Sequence, residues 1–201
     1  VSDDFPTVKT PTPSYETQEL REFGEILRGR RTIELFLQTE VPEALLAEAI
    51  ESAIWAPNHR VTEPWHFYRI GDLSKQKCLD LCHDIVMAKK GEKVADFKRE
   101  SWSEKPGWLV VTSRRSEDAL LQAEDYAATA AAIQNLTLYL WKAGVGCKWS
   151  TGAIIRDSRF YEILQIDESA EWVVGLIWYG YPKVTPTQYR QALASVVTEL
   201  D

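Results

Sequence analysis

The chain has 201 residues, 45% hydrophobic and 26% charged, which excludes a disordered chain and suits one domain with a sizeable core. A formal net charge of −7 excludes the basic footprint of a nucleic-acid binder, and the apolar runs are strand-sized, too short to cross a membrane. Three cysteines, Cys78, Cys82 and Cys147, are an odd number at no disulfide-framework spacing, which points to a reducing, cytoplasmic setting.

Residues 1–14 read as an extended lead-in, because Pro6, Pro11 and Pro13 forbid helix; the stretch lacks the charged-then-apolar pattern of a signal peptide. A single domain is expected over 15–201. Glu16 to Arg28 has helical spacing, with Leu20, Phe23 and Leu27 on one side and Gly29 at its end. Pro42 suits a first helical turn, Leu45 to Ile54 repeat at a helical period, and Pro57 stops them. His66 to Ile70 reads as a strand and Leu73 to Lys90 as an amphipathic helix. Gly107 to Ser113 reads as a buried strand. Asp118 to Ala143 is the longest helical pattern, and its small apolar middle, Ala127 to Ile133, permits close approach of a helix or a subunit. Cys147 to Ser150 is a short strand, Phe160 to Leu164 a short helix, and Trp172 to Tyr179 a strong strand. An arm follows from about residue 183. Strands scattered among long helices, without regular βαβ alternation, predict an α+β fold.

Three segments carry candidate chemistry. Gly29-Arg30-Arg31-Thr32 follows a helix, and guanidinium groups with a hydroxyl match phosphate oxygens. The alternative is a pair of cations answering the helix dipole. Trp55 to Phe67 (WAPNHRVTEPWHF) breaks a helix and starts a strand; its prolines and tryptophans suit either a face for an aromatic ring or a rigid connection. Ala143 to Ala153 (AGVGCKWSTGA) offers glycines for close backbone approach and free amides past a strand, or an ordinary turn. It has neither a Walker A nor a Rossmann glycine pattern. Cys78 and Cys82 with His83 lie one turn apart on a helix, where buried thiols are commoner than metal ligands. No metal site is expected.

Taken together, these segments resemble the nitroreductase family of flavoproteins. The order matches: Arg-Arg-Thr, a helix ended by Ala-Pro, then Pro-Trp-His-Phe, Gly-Val-Gly, a Trp-containing segment, and a strand ending in Gly180-Tyr181-Pro182. The resemblance spans roughly residues 18 to 195. The Ala-Pro-Asn-His-Arg stretch and Trp149 look like its short, minimal branch, whereas the tail with Pro186 and Arg190 is more like the longer one.

That resemblance implies an α+β fold with a central, mainly antiparallel sheet wrapped by helices, and an intertwined homodimer with FMN at the interface. It implies hydride passing from NADH or NADPH through flavin N5 to acceptors such as nitroaromatics or quinones. No side chain is then needed as acid or base, so no catalytic residue is named. Arg30, Arg31 and Thr32 should face the phosphate and ribityl chain. Trp55 and His59 should approach the flavin from the partner. Trp149, Ser150 and Thr151 should line it, with an amide near Thr151 or Gly152 at N5, and Arg190 is a second phosphate candidate. Where relatives often carry Lys or Arg the chain has Glu34, and where many carry Asn-x-Gln it has Val61-Thr62-Glu63. Those acids predict a lowered flavin midpoint potential. Alternatives from other classes are a flavin-binding store or redox sensor without turnover, and a specialised member performing dehalogenation or flavin fragmentation.

Overall fold

The computed structural model describes residues 17–200; the expected lead-in over 1–14 and the start of the first helix at Glu16 lie outside them. Helix α1 is Gln18–Gly29, capped by the Thr17 hydroxyl, which accepts from the Leu20 amide at 3.1 Å. Arg30 rather than Gly29 is its C-cap, its amide donating to the Ile26 carbonyl. Helix α2 is Glu43–Ala53, strand β1 Trp65–Arg69, helix α3 Asp72–Lys90 and helix α4 Glu92–Ser103. Then come β2 (Gly107–Arg114), α5 (Ala119–Lys142), β3 (Gly146–Ser150), α6 (Ser158–Leu164) and β4 (Glu171–Gly180). Asp118 caps α5 by accepting from the Leu120 and Leu121 amides, and Asp157 caps α6 from the Arg159 amide.

The expected elements are present, with ends moved by one or two residues. Helix α4 is the addition. Its sequence, EKVADFKRESWS, is dominated by charge, and it buries only Ala95 and Trp102, so its apolar period is faint. Gly91, at φ +81°, makes the turn from α3 into α4.

The sheet has the order β1-β2-β4-β3 with every pair antiparallel. Its two faces bury different layers. On one, Trp108, Val110, Leu176 and Trp178 meet α3, α4 and α6; on the other, Leu109, Val111 and Ile177 meet α2 and α5. A bulge between Val111 and Thr112 leaves Val174 without a partner on β2. Val173 and Leu176 therefore face the same layer although three residues apart, where strict alternation would oppose them. Among the described residues no helix is long and apolar enough to cross a membrane, and no group of His, Cys, Asp or Glu is placed to hold a metal ion.

The three cysteines are buried free thiols. Burial pushes Cys78 and Cys147 up to about 12 and Cys82 up to about 11. Well below pH 9 the thiols are mostly neutral in both folded and unfolded chains and contribute little to the pH dependence. Above it the unfolded chain loses these protons while the folded chain keeps them, so stability falls as pH rises from about 9 towards 11–12. Urea unfolding between pH 7 and 11 should show that decline, and Cys147→Ala should reduce its slope. Native protein at pH 8 should react slowly with a thiol reagent, and unfolded protein should release all three thiols quickly.

Candidate functional site

The site begins where the chain leaves α1. Thr32 bridges in parallel to Cys147 of β3, and the Ile33 amide donates to the Cys147 carbonyl at 3.0 Å, so the Arg30-Arg31-Thr32 segment lies along the outer edge of β3. Gly146 is required for that approach: a Cβ there would sit 2.3 Å from Ile33 Cγ1. The two arginines divide the two expected roles. Arg31 donates through Nη1 to the Arg28 and Arg30 carbonyls, at 2.6 and 2.9 Å, and so answers the helix C-terminus. Arg30 keeps a buried Nε with no hydrogen-bond partner among the described residues. Its charge lies near Cys147, pulling that thiol down against the larger upward push of burial. Thr32 is exposed.

Beyond β3 the chain opens. Alternation sends Trp149 and Ser150 to opposite faces. The Trp149 indole packs on the α2–α5 side and donates to the Val174 carbonyl at 3.1 Å. It occupies space left by Gly175, where a Cβ would lie 2.1 Å from Trp149 Nε1. Ser150 and Gly152 instead line a cavity of about 190 Å³ on the other face, with Lys98, Trp102, Lys148 and Trp178. Gly152 is uncrowded, the nearest atom to an added Cβ being Ser150 Oγ at 3.8 Å. Thr151 lines a separate cavity.

Lys148 and Glu34 are the polar hinge of this region. Lys148 Nζ contacts both Glu34 carboxylate oxygens, at 2.5 and 2.6 Å, and lies 5.4 Å above the Trp178 ring. Lys105, only 4% exposed, donates to the Glu34 backbone carbonyl at 2.6 Å; Lys75 in turn donates to the Lys105 carbonyl. Burial lowers the pKa of Lys105, and the Glu34 charge opposes that shift. The acid at position 34 is thus paired to a cation. Lys148, Trp102 and Trp178 have no role assigned by the sequence, and Lys98 reads there, with Arg99, as a solvated cation or one that attracts an anionic nicotinamide cofactor. Lys148 had a usable signal, since it stands two residues before Ser150 on the same strand face. Trp102 had none, because it depends on α4.

The remaining expected residues, Trp55, His59 and Arg190, have their own local partners or surfaces. Trp55 lies in the turn two residues past the end of α2 and is 66% exposed. His59 Nδ1 pairs with Glu124 of α5 at 2.8 Å. Its loop contains three non-glycine residues at positive φ, Arg60, Val61 and Glu63, held by Thr62 Oγ1 donating to Asp125 and the Glu63 amide donating to Asn58. Arg190 is exposed and donates to the Tyr189 carbonyl. Among the described residues, none of the three makes a hydrogen bond or ion pair with Arg30–Thr32 or with residues 149–152.

A four-stranded antiparallel sheet with helices on both faces defines an α+β fold. Residues 27–181 match the family model described as "Nitroreductase family". The chain is 34% identical over 167 residues to a Bacillus subtilis protein named "Putative NAD(P)H nitroreductase YfhC", covering 81% of this chain and 85% of the relative. A nitroreductase-like family protein from Bacillus cereus superposes with a TM-score of 0.78 at 26% identity, covering 95% of this chain and all of the other. A nitroreductase with bound FMN from Bacteroides fragilis superposes with a TM-score of 0.71 at 19% identity, covering 90% and 99%. The chain belongs to the nitroreductase family of oxidoreductases.

The Trp149–Gly175 fit gives a direct check. Gly175→Ala forces a rigid indole out of a hydrogen-bonded position, so it should destabilise the protein by about 1–3 kcal/mol, read from the midpoint of urea unfolding at constant slope.

Proposed function

We propose that this protein is an FMN-dependent oxidoreductase that passes hydride from NADH or NADPH through the flavin to acceptors such as nitroaromatics or quinones. Family membership supports the reaction class. The observation that carries the cofactor assignment is the buried, unpartnered Nε of Arg30 at the β3 edge. A guanidinium nitrogen without a partner is costly, and a phosphate oxygen is a matched acceptor for it. The residues present fit the group: Arg30 and Thr32 supply charge and a hydroxyl, and uncrowded Gly152 leaves backbone open beyond β3.

When bound, FMN supplies two-electron transfer at its N5. The chain's own part is to bind and orient. Arg30 and Thr32 hold the phosphate and ribityl end, with Arg190 as a second phosphate contact. Arg31 fixes the segment by capping α1. Ser150, Thr151 and Gly152 line the flavin, and Lys148 with Glu34 closes one edge of that region. Trp149 acts from behind, its indole bonded to Val174 and keeping β3 in place. Trp55 and His59, apart from this site in their own chain, are assigned to the flavin of a partner subunit.

A homodimer supports that last assignment. Helix α1 buries no residue, yet Leu20, Phe23 and Leu27 are 45, 53 and 45% exposed along one stripe. The arm after Pro182 is exposed throughout its described length, including Tyr189, Leu193, Val196 and Leu200. Apolar surface in such amount marks an interaction face.

Purified protein should be yellow, release FMN rather than FAD, and oxidise NADH or NADPH with a quinone. A flavin-loaded protein without turnover would point instead to a storage or sensing module. Arg30→Ala should weaken FMN about 10- to 100-fold in a fluorescence titration, the worth of a charge-assisted hydrogen bond; unchanged affinity would remove Arg30 from the site.

The dimer should bury more than about 2,000 Å², as permanent assemblies do. Deleting residues 186–201 should shift the sedimentation coefficient towards monomer and release flavin. A stable, flavin-loaded monomer of the full chain at low micromolar concentration would refute the assembly.

A further inference from the structure

Strand β3 ends at Ser150, opposite Leu176, so the edge of β4 before Leu176 has no strand beside it. Part of that edge is satisfied by side chains: the Val174 carbonyl accepts from Trp149, and the Val173 amide donates to the Tyr161 hydroxyl at 3.0 Å. Against it lies a cavity of about 520 Å³ reached from Thr151.

Its walls are aromatic and its polar groups are mostly donors. Tyr126 and Trp172 pack with ring centroids 5.5 Å apart, and Trp172 Nε1 is buried with no partner among the described residues. Arg115 donates through Nε to the Glu168 and Glu171 carbonyls, at 2.6 and 3.2 Å, which fixes the fork while leaving its two Nη groups out of those bonds. Arg156, on the turn Ala153–Arg156, has no hydrogen-bond or ion-pair partner for its guanidinium among the described residues. Glu168 is the single acidic residue among those lining the cavity, against two arginines, one of which, Arg156, also borders the neighbouring cavity of Asp84 and Asp157.

We propose that this cavity is a binding site for a planar aromatic anion, the ring lying against Trp172 and Tyr126 and the anionic group held by Arg156 and Arg115. Two guanidinium forks recognise carboxylate or phosphate oxygens, and an aromatic wall supplies stacking surface that a simple inorganic anion would not use. Because Thr151 belongs both to this wall and to the segment assigned to the flavin, the inference rests on the proposed oxidoreductase reading for its purpose, though not for its chemistry. The anion comes from one of two sources: an acidic aromatic acceptor, or the nucleotide end of the nicotinamide donor.

The test is calorimetric titration of the full-length protein, with whatever cofactor it carries, using 4-nitrobenzoate, neutral 4-nitrobenzamide and adenosine 5′-monophosphate. The benzoate should bind at least about tenfold more tightly than the amide, one good charge-assisted contact. Arg156→Gln should abolish that preference, Arg156→Lys should restore part of it, and exposed Lys93→Gln should leave it unchanged. If the nucleotide shows the same dependence on Arg156, the donor is the source; if the benzoate alone does, the acceptor is. Loss of discrimination in the wild type, or affinities untouched by Arg156→Gln for both anions, overturns the proposal. A visible spectrum separates the two readings. A colourless protein with Arg156-dependent binding sinks the flavin assignment alone; a yellow protein without charge preference sinks this site alone.

Discussion

A single extra residue in β4 governs the geometry on both sides of the sheet. The bulge at Val174 changes the phase of the strand, so Val173 and Leu176 meet one layer while Val174 and Ile177 meet the other. It also turns the Val174 carbonyl outward, where the Trp149 indole reaches it, with Gly175 leaving the space that the ring needs. Pinning Trp149 on the α2–α5 face commits Ser150 and Lys148 to the opposite face by simple alternation. The cavity behind Ser150 and Gly152 and the open β4 edge near Thr151 both follow from where β3 is made to stop.

The second organising element is electrostatic. Lys105 is almost wholly buried, yet its ammonium is not left bare: it donates to the Glu34 carbonyl and lies 5.8 Å from both the Phe36 and Trp178 rings. Trp178 packs edge-on against Trp102 and Trp108 in the same cluster. Desolvation lowers the pKa of Lys105, while hydrogen bonding, the nearby Glu34 charge and the aromatic faces offset part of that cost. The consequence is positional. A rigid aromatic cluster under α4 holds the backbone of residue 34, two residues beyond Thr32, and so helps to fix the segment that carries Arg30.

Much of the fold was legible because its signals are local. The repeat Leu45, Leu46, Ala49, Ile50 and Ala53, the run Trp172 to Tyr179, and Asp118 ahead of α5 each state their element within a few residues. Helix α4 was not, because a helix that buries two side chains leaves only a weak period. The site divides on the same principle. Arg30 to Thr32 and Ser150 to Gly152 come from contiguous motifs, and a parallel bridge between Thr32 and Cys147 connects them. Lys98, Lys105 and Trp102 reach the region only through the packing of α4 and the loop after it. No linear spacing encodes that packing. Trp149 shows the complementary limit. Its place in the motif was clear, but the face on which its side chain lies depends on the bulge in another strand.

Glu34 shows how tertiary structure changes the meaning of a substitution. Read alone, an acid where relatives often carry a cation places negative charge near the flavin's pyrimidine edge. At an effective dielectric near 20, a lone charge at about 6 Å acts with roughly 3 kcal/mol. The structure does not leave it alone: Lys148 holds both carboxylate oxygens, and Lys105 lies just behind. The local sum is then not −1 but neutral or positive, and a paired carboxylate and ammonium act at a distance as a dipole whose field falls faster than that of a charge. Glu34 alone therefore gives little cause for the expected lowering of the midpoint potential. What the structure places there is an ion pair, the acid on the segment after α1 and the cation on β3. Removing the Glu34 carboxylate would not simply delete a negative charge; it would release Lys148, and the sign of any effect on the flavin would be set by where that ammonium then points.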